Sequence, residues 1–250
     1  MTEELLTAVC KKLRFNSGIV AKAKKIKKET HLEFLLELFT REAEERERKR
    51  NNTYIKAAKF ELVKTFEGYT FEDIKFPSDL TVDDLLDSTF IPRKGNLIMY
   101  GTVGAGKTHL AIAIGVAACG AGFRTRFWRT ATLVNALVEA KNQGTLGAFM
   151  SQFEKLDLLI CDEWGYVPLD LEGSKLLFNV ISECSERKSI IITTNLEYAR
   201  WNDIFANPKI TAALLDRIIH NSHLLDFTNR ESRRLRAAIL KQSPTENTKT

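Results

Sequence analysis

No uninterrupted apolar run in this chain approaches the ~20 residues that a membrane-spanning helix requires, so a membrane-embedded protein is not expected. The chain opens Met-Thr-Glu-Glu, which lacks the basic and then apolar start of a secretory leader. Cysteine is scarce. Cys10, Cys119, Cys161 and Cys184 stand apart, with no C-x-x-C and no metal-ligand spacing. Three of them lie in apolar surroundings and read as small buried hydrophobes in a reduced, cytoplasmic compartment. Internal repeats are missing, as is low-complexity sequence outside the polar C-terminal tail. No helix-turn-helix or zinc-finger pattern declares itself, which leaves specific base reading without support.

What is present is an ordinary hydrophobic fraction of 44% and a charge that is unevenly placed. Residues 1–60 hold 15 Lys/Arg against 9 Asp/Glu, whereas the remaining residues hold 22 against 23. The positive excess therefore belongs to the N-terminal segment, and Lys22, Lys24, Lys25, Lys27 and Lys28 form its densest cluster. Phosphate contacts to nucleic acid are one reading of this cluster, and a solvated lysine-rich helix is the other. Residues 1–66 read as a small helical domain. Thr30 and Glu33 make a capping box, after which Leu32, Leu35, Leu36, Phe39 and Ala43 recur at helical spacing as one apolar face.

The stretch YTFEDIKFP from Tyr69 is aromatic and strand-like, and a domain boundary is expected near residues 65–70. Residues 67–241 then alternate apolar runs with helix-length segments, the pattern of a parallel sheet with crossover helices. Strands are expected at 96–100, 125–128, 158–162, 189–194 and 223–227. Helices are expected at 109–121, 132–141, 148–156, 173–186 and 210–220, and residues 242–250 as a frayed tail.

Gly101–Thr108 reads GTVGAGKT, a complete G-x-x-x-x-G-K-[ST] match between a strand and a helix. The backbone of Gly101, Thr102, Val103, Gly104, Ala105 and Gly106 can curl into a nest of inward N–H groups at a helix N-terminus, where a polyphosphate fits. Lys107 would reach the β- and γ-phosphates, Thr108 would ligate Mg²⁺, and His109 follows them on the helix. Leu158–Cys161 is a buried-strand run that ends in Asp162 and Glu163. Asp162 is placed to hold Mg²⁺ through water, and Glu163 to orient or deprotonate the water that attacks the γ-phosphate. The adjacent acidic pair favours ATP hydrolysis over a metabolic kinase, whose acceptor is a substrate hydroxyl. Asn195 closes another apolar strand and can touch that water or the phosphate. On the helix that follows, Arg217 points away from a face made of Leu214, Leu215, Ile218 and Ile219, so it can reach a neighbour's phosphate, or else an ion pair with Asp216 or Glu183. Arg233, Arg234 and Arg236 begin a short basic helix.

GTVGAGKTHLA, LLICDEWGYVPLD, SIIITTN, ITAALLDRIIH and ESRRLR, in this order, resemble the AAA+ ATPases of the initiator and helicase-loader clade. Within it they resemble the IstB family of transposition helpers, related to DnaC. The resemblance covers roughly residues 66–240 and, more weakly, the helical N-terminus. It implies an α/β AAA+ P-loop fold with a five-stranded parallel sheet and a reduced lid, preceded by the helical domain. It further implies Glu163 as the catalytic glutamate, Asn195 as first sensor, Arg217 as a finger acting on the next subunit and Arg234 as second sensor. Arg233 competes with Arg234 for that last role. The aromatic YTFEDIKF is similar to the box that lies near the adenine in this clade. The implied activity is Mg²⁺-dependent ATP hydrolysis by a homo-oligomer on duplex DNA, bound largely without regard to sequence, in the service of a cognate transposase. A replicative helicase loader is the alternative within the clade.

Overall fold

In the computed structural model, residues 2–16, 18–205 and 207–232 are described. They form two compact units, Met1–Thr53 and the residues from Tyr54 onward. The division falls inside a helix, earlier than the expected 65–70. The reason is that Phe60 and Phe66 pack against the core of the second unit, so this stretch belongs with the sheet.

The first unit contains α1 (Thr2–Lys12), α2 (Ile19–Ala23) and most of α3 (His31–Ala58). The Thr30 hydroxyl accepts from Glu33 N while the Glu33 carboxylate accepts from Thr30 N, so the expected capping box starts α3. The expected apolar face needs correction. Leu32, Leu35, Leu36 and Phe39 are exposed, and the packed side of α3 carries Phe34, Leu38 and Glu42. These three recur at intervals of four, and Leu38 forms a small core with Ile19, Val20 and Ile26 among the described residues. Glu42 tolerates burial because it accepts from Asn16 N, Lys22 Nζ and Arg46 Nε.

The second unit is a five-stranded, all-parallel sheet. Its strands are β1 (Asn96–Tyr100), β2 (Thr125–Arg129), β3 (Leu158–Trp164), β4 (Ser189–Thr194) and β5 (Ser222–Asp226), in the spatial order β2-β3-β4-β1-β5. The connecting helices are α5 (Lys107–Gly120), α6 (Thr130–Asn142), α7 (Leu146–Glu154), α8 (Leu171–Cys184) and α9 (Pro208–Ile219), with short α4 (Val82–Leu86) before the sheet. All five strands and all five helices expected after residue 95 are present within a few residues. Alternation along β1 explains the layering. Leu97 and Met99 join one core with Leu110, Ile114 and Phe227, while Ile98 joins the other with Leu177, Ile192 and Leu214.

The segment from Tyr69 to Pro77 is not a strand. A turn from Phe71 to Ile74, with Asp73 at φ 62°, breaks its extension. Only Lys75 pairs, in an antiparallel bridge to Asp226. Its aromatic content fills the first core instead. On α9 the packed stripe is Thr211, Leu214 and Ile218, and Ile219 is exposed, contrary to the expected face.

Candidate nucleotide site

In an open parallel sheet the strand C-terminal ends line the ligand crevice, and here β1, β3 and β4 stand side by side. The loop after β1 takes left-handed conformations at Gly104 (φ 82°) and Gly106 (φ 93°), and Gly101 has φ 145°. Gly101 also has no room for a side chain, and at Gly104 one would have to displace the Ser232 hydroxyl. A Cβ on Gly101 would lie 2.6 Å from the Phe227 carbonyl carbon, and one on Gly104 would lie 2.3 Å from Ser232 Oγ. Lys107 Nζ donates to the carbonyls of Gly101 and Thr102, both at 2.7 Å, and so lies folded along the loop. Burial lowers its pKa to about 8 against the opposing pull of Asp162.

Strand β3 runs past Asp162 to Trp164, with one extra residue inserted against β4. Cys161 pairs with Ile192 and Trp164 with Thr194, three positions against two. Glu163 occupies this β-bulge at φ 57°, and its N–H donates to Thr193 Oγ1 at 3.0 Å. Asp162 is 1% exposed, and its Oδ1 accepts from Thr108 Oγ1 at 2.9 Å and from Thr193 Oγ1. Burial raises the Asp162 pKa, and these two hydroxyls work against the shift.

These groups line a cavity of about 410 Å³ with Val103, Gly104, Gly106 to His109, Thr193 to Asn195 and Tyr166. Asn195 Oδ1 is shielded from solvent and has no hydrogen-bond partner among the described residues. Thr108 and Asp162 present an uncharged hydroxyl and a carboxylate side by side, an all-oxygen donor pair suited to Mg²⁺. Among the described residues, the cations lining the cavity are Lys64, Lys107 and Arg129, with His109 also present.

Arg217 is not among them. It lies half-buried with its guanidinium 4.7 Å from the Phe178 ring centroid, and Nη1 donates to Ala213 O. It makes no ion pair with Asp216 or Glu183. Among the lysines of the basic cluster, Lys22 is tied to Glu42 and Glu45, and Lys24 to Glu3 at 2.7 Å. Lys25, Lys27 and Lys28 are exposed and pair with no described carboxylate. Arg233, Arg234 and Arg236, together with the tail, lie outside the described residues.

Sequence reasoning missed Arg129, whose guanidinium reaches Glu61 at 2.5 Å and Glu163 at 3.6 Å. A partial signal was available: Arg129 closes the strand beside β3, and the parallel register pairs it with Asp162. It also missed Thr193, which touches both carboxylate-bearing residues, and the buried Arg230.

A parallel sheet in this order, a phosphate-binding loop after β1 and an acidic pair at the end of β3 define an AAA+ P-loop protein. The family model for "IstB-like ATP binding protein" matches residues 10–240, and the chain belongs to that family. The ATP-binding protein of insertion sequence IS5376 from Geobacillus stearothermophilus is 35% identical over 213 residues, 85% of this chain and 84% of its own length. That of IS21 from Pseudomonas aeruginosa is 35% identical over 204 residues, covering 82% and 77%. Among solved structures, AMPPCP-bound DnaA from Aquifex aeolicus superposes with a TM-score of 0.50 at 21% identity, covering 66% of this chain and 50% of that one. DnaA bound to AMPPCP and single-stranded DNA gives 0.51 at 20% identity, covering 70% and 54%. These two show the fold alone.

Proposed function

We propose that this protein is a Mg²⁺-dependent ATPase that assembles on duplex DNA and assists the transposase of its insertion sequence. The observation that carries hydrolysis is the bulge in β3. It turns Glu163 into the cavity that already holds the loop, Asp162 and the unpartnered Asn195 oxygen. In this reading the loop N–H groups and Lys107 hold the polyphosphate. Thr108 and Asp162 would hold Mg²⁺, which would offset charge on the β- and γ-phosphates. Asn195 accepts one hydrogen of the attacking water, and Glu163 takes the proton that the water releases.

Assembly follows from Arg217. Its place against Phe178, outside the cavity, supports a guanidinium that serves a neighbouring subunit's γ-phosphate. ATP bound at such a seam favours the oligomer, because both sides contact it. Loss of the γ-phosphate then loosens the contact. Duplex DNA is supported by the basic N-terminal excess and by the free ammonium groups of Lys25, Lys27 and Lys28. The transposase is the partner suggested by relatives that belong to insertion sequences. No described helix is long and apolar enough to cross a membrane, and a cytoplasmic site of action fits this reading.

The direct test is Glu163→Gln. It should bind ATP as the wild type does and lower turnover by ~10²-fold or more, the usual contribution of a positioned base. Turnover within twofold of wild type, measured as phosphate release with ATP and duplex DNA, removes Glu163 from the chemistry. Binding to single strands in preference to duplex, together with capture of a replicative helicase, would favour a helicase loader.

A further inference from the structure

Arg230 is 6% exposed, and none of the ion pairs among the described residues includes it. A buried guanidinium without a carboxylate is costly, and a methionine of similar length would fill the space without losing hydration. Its contacts show what the charge achieves. Nη1 donates to the Tyr69 hydroxyl at 2.8 Å, and Nη2 donates to Thr70 O at 2.6 Å and Thr70 Oγ1 at 3.1 Å. The guanidinium carbon lies 4.8 Å from the Tyr69 ring centroid. Every one of these contacts goes to the segment before the sheet.

The same two residues grip the phosphate-binding loop at both of its ends. At the first end, Thr102 Oγ1 donates to Arg230 O at 3.2 Å. At the second, the Tyr69 hydroxyl donates to Gly106 O at 3.4 Å, and the Tyr69 ring stands 3.5 Å from where a Cβ on Gly106 would lie. Along the same loop Phe227 and Ser232, either side of Arg230 in the chain, close on bare Gly101 and Gly104. The loop residues that would wrap a phosphate chain are thus held from behind by one arginine and the tyrosine it fixes.

We propose that Arg230 is a positioning residue for the nucleotide: its guanidinium fixes Tyr69 against the far end of the loop, beside the anchor that its backbone carbonyl gives Thr102, and so keeps the loop in its phosphate-binding shape. This rests on the reading of Gly101–Thr108 as the nucleotide site. Pre-shaping lowers the ordering cost of binding, and the part of the ligand that meets the nest is the diphosphate shared by ADP and ATP. Among the described residues, Arg230 touches none of the positions assigned here to the third phosphate. Its loss therefore weakens both nucleotides by one common factor.

The experiment measures affinity for ADP and for ATP by titration calorimetry on the full-length chain, in wild type, Arg230→Met, Arg230→Lys, Tyr69→Phe and Lys107→Ala, with thermal unfolding recorded beside it. Arg230→Met should bind both nucleotides about tenfold more weakly, roughly 1.4 kcal/mol at 25 °C. KM should rise by the same factor, with a much smaller change in kcat. Arg230→Lys keeps the charge but not the fork, and should recover part of the loss. Tyr69→Phe removes the hydroxyl that links the guanidinium to Gly106 but leaves the Thr70 contacts, and should cost a smaller part, which keeps the test decisive if Arg230→Met does not fold. Wild-type affinity in Tyr69→Phe and in either Arg230 variant overturns the proposal, as does a loss confined to ATP, which would make the guanidinium a reader of the γ-phosphate. A lowered unfolding midpoint with unchanged affinity reduces Arg230 to a structural role. If wild type binds neither nucleotide, or Lys107→Ala binds as well as wild type, the nucleotide-site reading itself fails, and that result is distinct from the others.

Discussion

The two units are held together by different means. Among the described residues, the ATP-binding unit packs twenty buried hydrophobic residues into each of its two cores. The N-terminal unit closes over four, and surrounds the buried Glu42 with Asn16, Lys22 and Arg46. A large core can hold a costly conformation in place, such as Glu163 at φ 57°. A small core depends on charge pairs, whose strength changes with pH and salt. Chemistry belongs on the first kind of scaffold, and adjustable contacts suit the second.

The largest expected effect breaks the catalytic side of this contrast. If Arg217 serves a neighbour, Arg217→Ala should lower turnover by ~10³-fold while leaving ATP affinity nearly intact. Mixing it with Lys107→Ala should restore activity, because each variant lacks what the other supplies. Turnover within threefold of wild type, or no rescue on mixing, would leave Arg217 with only its Phe178 contact.

On the other side, Glu42→Ala removes the buried acceptor shared by Asn16, Lys22 and Arg46, and leaves Lys22 with Glu45 alone. It should destabilise the N-terminal unit by ~2 kcal/mol, less than a fully buried pair because both cations reach solvent. Hydrogen exchange should quicken in α1 to α3 and not in the sheet. Burial pushes the Glu42 carboxyl up, but bonds from Asn16, Arg46 and Lys22 outweigh this and leave its pKa below the ordinary 4.5. The stabilisation is therefore complete above pH 4.5 and is lost as pH falls through the depressed value. Acid should open this unit first, and uniform exchange across both units would contradict the comparison.

A comparable effect sharpens the nucleotide side. Lys107 has its pKa lowered to about 8, so the free protein loses that charge as pH rises past it. ATP affinity should fall up to ~tenfold per pH unit above 8, with proton uptake on binding. Constant affinity from pH 7 to 9 would show that Lys107 stays charged. The smallest effect concerns Lys25, Lys27 and Lys28. Changing all three to Ala should weaken duplex binding uniformly across sequences and flatten its salt dependence by about one slope unit per lost phosphate contact. An unchanged slope would move the DNA surface elsewhere.

Legibility in the sequence followed the same division. In the ATP-binding unit, strand-length apolar runs and a spaced motif specify backbone and chemistry together, so Lys107, Thr108, Asp162, Glu163 and Asn195 meet in one cavity as expected. What escaped there depends on register and long-range packing: Arg129 beside Asp162, and Arg230 beneath Tyr69. In the N-terminal unit helical spacing alone chose the wrong face of α3. Periodicity reports which residues can share a face, and it cannot weigh Leu36 against a glutamate with three bonding partners. The aromatic stretch at 69–77 misled for a related reason, since β-forming residues also serve as core filler where a turn interrupts them.

Consecutive side chains on an unbroken strand leave the sheet on opposite sides, so an Asp-Glu pair would normally place only one of its acids toward bound nucleotide. The single inserted residue in β3 cancels that parity. If Glu163 is the proton acceptor proposed above, restoring regular pleating there would leave the loop and Lys107 to hold ATP but send that carboxylate into the opposite layer, a clamp that closes and never resets.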